Sequence, residues 1–391
     1  MTATAWTGTI LVVFFCLLWV VSHLHILRTL LRVRRFEAAA PPPPGRWPRL
    51  SVVIAARDEA ATLPGAIRTL LAQDYPDLEI VVVDDRSTDG TGDLVDALSL
   101  EDGRVRAIHV RELPAGWLGK VHALDAGTRA SSGEWVLYTD ADVHFAPGTL
   151  RKAVSDVESR GLDHLVLMPG FREASFWMNV VLSAFLGGFL LLTRPASIGR
   201  PRSRAFAGAG AFNLVRRAAL ERTGGFEWLR MEVVDDVGLG LMLHRAGARG
   251  GFAVAFREVN VRWYPTVGAL VRGLEKNLFA GARYSLFRLF ASLPGIAALL
   301  LAPGASLVIR GVPFLWTAGA AAALSLIAVA LVLKARHRLP LLPALLSPAG
   351  TAVLAVAMLR SGVRCTLRGG IDWRGTFYPL GELRRGQRLI I

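Results

Sequence analysis

Glu79-Ile80-Val81-Val82-Val83-Asp84-Asp85-Arg86-Ser87-Thr88-Asp89-Gly90-Thr91 opens as a β-branched run and closes on carboxylates and a turn. Near-continuous Val and Ile are what a strand buried on both faces requires. The Ser, Asp and Gly that follow mark a strand-to-helix turn, with Ser87, Asp89 or Thr91 capping the next helix. Capping accounts for Asp89 but leaves Asp84 and Asp85 as adjacent charges at a strand end. A carboxylate there could accept the imide N–H of a uracil or a ribose hydroxyl. The spacing of Asp85, Ser87, Asp89 and Gly90 also imitates the start of a calcium loop, which needs a preceding helix and a Glu at the twelfth position. A strand precedes it and Asp96 stands twelfth, so calcium is excluded.

Outward from this stretch the same alternation recurs. Leu50–Ala55, Glu79–Val83, Arg104–Val110 and Trp135–Thr139 read as buried strands, with Thr62–Gln73, Thr91–Leu100 and Gly119–Ala130 as the helices between them. Gly148–Gly161 and Asp163–Met168 add a further helix and strand. Alternating strands and helices predict an α/β layer with a mainly parallel sheet.

Two more acidic pairs stand where such a layer exposes its chemistry. Asp140-Ala141-Asp142 follows Tyr138-Thr139 at a strand end. In extended backbone, residues i and i+2 share a face, so both carboxylates can turn to one site. Two hard oxygen ligands facing a diphosphate suit Mg2+ or Mn2+. Alone, an Asp-x-Asp is an ordinary turn; after a buried strand and beside the first motif, metal binding is the better account. Asp235-Asp236 opens a helical run to His244. One of the pair serves as an N-cap, and the other is available to take a proton from an attacking hydroxyl. Weaker signals are Arg57-Asp58-Glu59, Trp117-Leu118-Gly119-Lys120, and Gly208-Ala209-Gly210-Ala211, where a backbone can approach a sugar closely. His144, His164 and His244 have no metal-ligand spacing.

The chain's 391 residues carry a net charge of +14 and are 52% hydrophobic, with a mean hydropathy of +0.41. No nucleic-acid motif accompanies the basic charge, and many arginines flank apolar runs, so a membrane surface is the expected partner and nucleic acid is not. Ala5 to about Leu24 is long enough to span. Arg28, Arg32, Arg34 and Arg35 after it place its C-terminal end in the cytosol, and Pro41–Pro44 make a stiff spacer. Cys16 and Cys365 form no disulfide framework, which suits a reducing compartment. Ser175–Thr193 is apolar but interrupts the α/β region, so an interfacial helix or one packed on other spans is expected. Leu289–Ile309, Pro313–Leu333 and Leu339–Leu359 are three further apolar runs. Three crossings would put the Arg-rich tail outside, against the positive-inside bias. Either one run is re-entrant or the tail breaks the bias, and Pro340, Pro343 and Pro348 make Leu339–Leu359 the candidate for a broken segment.

Taken in this order, from about Leu50 to Arg283, these residues resemble the family 2 glycosyltransferases. The resemblance implies a GT-A-like nucleotide-sugar-binding domain and donor contacts from Ala55, Arg57, Glu59, Asp84, Asp85, Lys120 and Asp140. It makes Asp142 the direct ligand of Mn2+ or Mg2+, with Asp140 beside it, and makes Asp236 the catalytic base, with Asp235 its neighbour. Gly273-Leu274-Glu275-Lys276-Asn277 and the tail Asp372-Trp373-Arg374-Gly375-Thr376-Phe377-Tyr378 are similar to stretches of carotenoid (diaponeurosporenoate-type) and hopanoid-associated enzymes. The Gln-x-x-Arg-Trp motif of processive polysaccharide synthases is absent, and Arg272–Asn277 occupies roughly its place.

The resulting expectation is an anchor at 1–27, a basic, Pro-rich linker at 28–49, a transferase domain at 50–288 with an interfacial segment at 175–193, membrane segments at 289–359 and a basic cytosolic tail at 360–391. A single, inverting, metal-dependent hexosyl transfer from a nucleotide-sugar, a UDP-sugar by the first motif, to a membrane lipid is expected at the plasma membrane, with the catalytic region cytosolic. The rivals are a processive polysaccharide synthase and a non-enzymatic membrane scaffold with a vestigial sugar-nucleotide domain.

Overall fold

The computed structural model describes residues 3–309 and 312–389, which fall into two compact units. One comprises residues 33–173, 197–263 and 370–391; the other comprises residues 1–32, 174–196 and 264–369. In chain order the elements are α1 (Ala3–Arg32), β1 (Arg34–Arg35), β2 (Leu50–Ala56), α2 (Leu63–Leu71), β3 (Leu78–Asp85), α3 (Thr91–Glu101), β4 (Val105–Val110), α4 (Gly119–Ala130), β5 (Trp135–Asp140) and β6 (Val143–Phe145). Next come α5 (Thr149–Arg160), β7 (His164–Phe171), α6 (Phe176–Thr193), β8 (Asn213–Arg216), α7 (Arg217–Glu221), α8 (Gly225–Leu229), α9 (Asp235–Arg245) and β9 (Gly250–Val261). The chain ends in α10 (Val267–Gly281), α11 (Leu286–Val308), α12 (Pro313–His337), α13 (Leu341–Leu345), α14 (Ser347–Arg368), β10 (Gly370–Trp373), β11 (Thr376–Pro379) and α15 (Leu380–Gly386).

The first unit is an α/β layer on one mixed sheet of order β1-β9-β7-β8-β5-β2-β3-β4, with β6 on β9. β2, β3, β4 and β5 run parallel, as do β1, β7 and β9, while β8 is antiparallel to both of its neighbours. β3 is buried along its whole length, as its valines require. α2 covers the sheet with Leu63, Ala66, Ile67 and Leu70, the apolar stripe of an amphipathic helix. In register, Ala55 of β2 lies between Val83 of β3 and Asp140 of β5, so the C-terminal ends of three strands meet at one edge. Ligands of open α/β sheets bind at such an edge.

Two segments expected to lie outside the domain belong to this unit. Linker residues Arg34 and Arg35 pair with Ala253 and Val254 of β9 as an edge strand. Phe36 after them is fully buried in the sheet core, and removing such a ring costs about 3–5 kcal/mol. Arg34 also neutralises the fully buried carboxylate of Asp156 at 2.5 Å, a charge that burial would otherwise penalise heavily. Two of the arginines expected to mark the membrane face are thus used in the sheet. The tail folds back as well. β10 and β11 form a hairpin, Leu383 of α15 is fully buried, and the backbone amides of Arg388 and Leu389 donate to Glu232 at 2.7 and 3.0 Å.

The second unit is a bundle of helices. α6 packs on α14 and α13, α1 on α11 and α12, and α10 on α14. Ser175, Thr266 and Ser285 cap α6, α10 and α11 through their side-chain oxygens. The expected break in the last apolar run falls at Leu346, between α13 and α14. Residues 264–288, expected in the transferase domain, cluster here because α10 packs along α14, where Glu275 accepts from Arg360 and Arg364. Among the described residues, five helices are long and apolar enough to cross a membrane: Trp6–Arg32, Phe176–Ser197, Leu286–Val308, Phe314–His337 and Ser347–Arg368.

Candidate functional site

β5, α4 and α9 bring their first or last residues together. Lys120, the second residue of α4, donates from Nζ to Asp140 Oδ1 at 2.8 Å and lies 3.3 Å from Asp235 Oδ2. Burial works against its ammonium, but the charges of Asp140, Asp235 and Asp236 outweigh that and hold its pKa above the ordinary value. Asp236 receives the Gly210 N–H on Oδ2 and its successor's amide, Val237 N–H, on Oδ1, both at 2.8 Å. These groups, with Thr139 and Tyr138, line one small pocket at the sheet edge.

Asp142 follows immediately. β5 stops at Asp140 and residues 141–142 form a turn before β6, so the extended i, i+2 geometry expected for Asp140 and Asp142 is replaced by a turn. The two remain electrostatic neighbours. Burial first, then the charges of Asp140 and Glu59, push the Asp142 carboxyl up to about 7.

Gly208 and Gly210 approach the backbone of Asp236 and the carboxylate of Asp140 closely. A Cβ on Gly208 would lie 1.8 Å from the backbone oxygen of Asp236, and one on Gly210 would lie 2.4 Å from Asp140 Oδ2. On the facing helix, a Cβ on Gly240 would lie 2.0 Å from the Ala207 oxygen. The small-residue stretch is what lets α9 press its N-terminus against this loop.

A second cluster lies at the ends of β2 and β3. Asp84 and Asp85 do not face one ligand, because successive strand residues point to opposite sides of the sheet. Asp84 turns to His109 Nδ1 at 3.2 Å and accepts the Ser87 N–H. Asp85, 3% exposed, takes the other face, where Arg86 holds it at 2.7 Å and Arg57 lies 3.8 Å away. Gly119 reaches this cluster too, and a Cβ there would stand 2.4 Å from Asp85 Oδ2. The turns after β2 and β3 are interlocked. Ser87 Oγ accepts Asp58 N–H, Asp58 accepts Thr88 N–H, and Asp89 accepts Ala60 N–H and Thr91 N–H. Asp89 binds the amide of Thr91, the first residue of α3, but the N-cap position expected of it is taken by Gly90, which has no side chain to cap with. Asp85 is the member of its motif turned toward Arg57 and Lys120's helix.

Sequence reasoning missed Glu232. It is 1% exposed and binds the tail amides of Arg388 and Leu389, holding the loop just before Asp235. Burial leads, and its carboxyl is pushed up from the ordinary range. A lone glutamate in an apolar stretch of four residues, Met231 to Val234, was the available signal.

Comparison with known proteins places this geometry. Residues 51–224 match the model of Glycosyl transferase family 2. The succinoglycan biosynthesis protein ExoO of Rhizobium meliloti is 34% identical over 31% of this chain and 33% of its own length. A beta-monoglucosyldiacylglycerol synthase of Synechocystis is 28% identical over 51% of this chain and 40% of its own. The chain thus spans less than half the length of either relative. A mannosyltransferase from Pyrobaculum calidifontis, solved with GDP-Man and Mn2+, has the same GT-A-like fold, with a TM-score of 0.53, 22% identity, and coverage of 89% of this chain and 99% of that one. Residues 51–224 of this chain carry a glycosyl transferase family 2 domain.

Proposed function

We propose that this protein transfers a single sugar from a nucleotide-sugar to a membrane lipid. The observation that carries the proposal is the convergence of Lys120, Asp140, Asp235 and Asp236 on one pocket, beside the Asp85 cluster. Asp236 takes the proton of the acceptor hydroxyl. The freed oxygen bonds to the anomeric carbon as the bond to the diphosphate oxygen breaks, and this single displacement inverts the centre. Lys120 holds Asp140 and Asp235 in place and offsets their charge. Ala55, Arg57, Glu59 and Asp85 receive the donor, while Asp84 serves the fold through His109.

A divalent cation, Mn2+ or Mg2+, fits the donor set. Asp142 and Asp140 offer hard oxygens, and the repulsion felt by Asp142 is what a cation relieves. Among the described residues no group of three or more His, Cys, Asp or Glu is arranged to hold a metal. The two carboxylates would therefore share it with diphosphate oxygens, as Mg2+ sites commonly do. When bound, the cation supplies Lewis acidity toward the leaving diphosphate. Chelation by EDTA is expected to remove transfer and Mn2+ or Mg2+ to restore it, with Asp142→Ala inactive throughout. Full activity in chelator would take the metal out of the account.

Membrane residence is supported by the five apolar helices among the described residues, and a lipid acceptor is supported by the glycolipid synthase among the relatives. The candidate acceptors include carotenoid and hopanoid alcohols and acids, on the strength of the Gly273–Asn277 and tail stretches, together with polyisoprenyl phosphates and glycerolipids. The tail folds with the catalytic unit, so an even number of crossings separates Trp263 from Gly370. We assign two crossings to α11 and α12. α14, the least apolar of the five with a hydropathy of 1.2, is the helix that does not cross fully. α6 likewise leaves from β7 and returns to β8 of the same sheet, so it does not cross as a single span. The positive-inside bias of Arg28 and Arg32 supports a cytosolic catalytic unit, and the plasma membrane is the proposed location.

The acceptor is tested by incubating membranes that carry the protein with radiolabelled nucleotide-sugars and partitioning the products into organic solvent. Extractable label that disappears with Asp236→Asn is expected. Label found only in water-soluble polymer would favour the polysaccharide synthase and defeat the lipid acceptor.

A further inference from the structure

The tail motif has no part in the chemistry assigned so far, yet its hairpin makes specific contacts. Strands β10 and β11 pair Trp373 with Thr376, which leaves Arg374 and Gly375 as a two-residue turn with φ of +51° and +73°. Such turns favour Gly, Asn or Asp at both positions. An arginine there is held by something beyond the turn itself. Its Nη1 donates to the Arg57 carbonyl at 2.8 Å, and its Nη2 pairs with Glu59. On the far side of the turn, Thr376 Oγ1 lies 3.4 Å from Arg57 Nη1 and 3.5 Å from Arg86 Nη1. Tyr378 is 5% exposed, and its hydroxyl accepts the Gly119 N–H at 3.0 Å. Arg57, Arg86 and Gly119 all border Asp85.

A second observation points to an absent acceptor. Arg57 Nε is buried and has no hydrogen-bond partner among the described residues. Buried N–H groups are nearly always satisfied, and an oxygen-rich ligand is the simplest acceptor for one whose side chain shares Thr376 and Asp85 with Arg86.

We infer that the hairpin of residues 370–379 is a wall of the donor site, with Tyr378 and Thr376 as positioning residues that fix the start of α4, Arg57 and Arg86 beside a nucleoside diphosphate. This rests on the donor-site assignment above and extends it to residues more than two hundred positions beyond Gly119, outside the matched family domain. The hairpin sets donor affinity, not the chemical step, because the contacts of Arg374, Thr376 and Tyr378 fall on Arg57, Glu59, Arg86 and Gly119 and not on Asp236 or Asp142.

The test uses the full chain in detergent with Mn2+, titrated calorimetrically with UDP, GDP, ADP and CDP. Tyr378→Phe and Thr376→Val each delete one hydroxyl with little change of shape. Each is expected to weaken the preferred nucleotide about fivefold, the usual effect of one net hydrogen bond. The nucleotide-sugar KM is expected to rise by a similar factor with kcat unchanged, and the melting temperature of Thr376→Val is expected to stay at the wild-type value. If the wild type binds a nucleotide and both variants bind it equally well or more tightly, the hairpin is not a donor wall and the donor site stands without it. If the wild type binds none of the four, the donor-site assignment itself fails. Should Tyr378→Phe melt earlier, Thr376→Val decides the matter by the same criteria.

Discussion

Asp236→Asn is expected to reduce sugar transfer by about 10²–10⁴-fold, the range for loss of a general base, while nucleotide binding stays close to wild type. The substitution keeps the shape and removes the basicity. It also turns an amide group toward one of the two backbone N–H groups, Gly210 and Val237, that now meet carboxylate oxygens. A melting curve separates the effects: a stability loss of about 1–3 kcal/mol from one unsatisfied contact leaves the protein folded but inactive. If Asp236→Asn transfers normally and Asp235→Asn does not, the base is Asp235. Normal transfer by both would remove the pair from the mechanism.

The second large effect is expected at a residue that carries no chemistry of its own. Gly208→Ala would place its Cβ 1.8 Å from the Asp236 backbone oxygen and 2.6 Å from Val237 N, and neither backbone atom can rotate away. The N-terminus of α9 must therefore shift, carrying Asp235 and Asp236 with it. A displacement of about 1 Å in a catalytic group can lower the rate roughly 10²-fold. A loss of at least that size, with a lower melting temperature, is expected in the same transfer assay. Activity within threefold of wild type would mean that α9 does not depend on this contact for its position.

The α/β layer was legible because its signals are local. The β-branched run of β3, the turn residues after it and the stripe of α2 each act within one element, and α4 was expected and found at Gly119–Ala130. The acidic pairs were legible for the same reason, since strand ends and helix starts collect them. What escaped was set by distance along the chain. Nothing near Phe36 or Arg34 announces that they join β9, whose paired residues are Ala253 and Val254. Nor does the tail announce that Tyr378 reaches the amide of Gly119. A basic, glycine-rich tail has the composition of a solvated segment, and distant partners such as Glu59, Trp228 and Glu232 give its arginines and amides somewhere to bind. One signal was present and unused. Adjacent strand residues alternate faces, so Asp84 and Asp85 could not both address one nucleotide, and the sequence already held the means to separate them.

The central claim, that this chain turns over a nucleotide-sugar at the pocket of Lys120, Asp140 and Asp236, is tested most directly by product release. The purified protein in detergent with Mn2+ would be given a panel of nucleotide-sugars, and free nucleoside diphosphate would be measured over hours. Slow release from at least one donor is predicted, lost in Asp142→Ala and faster when a membrane lipid extract is added. No release from any donor, with or without lipid, by a protein that melts cooperatively would contradict it.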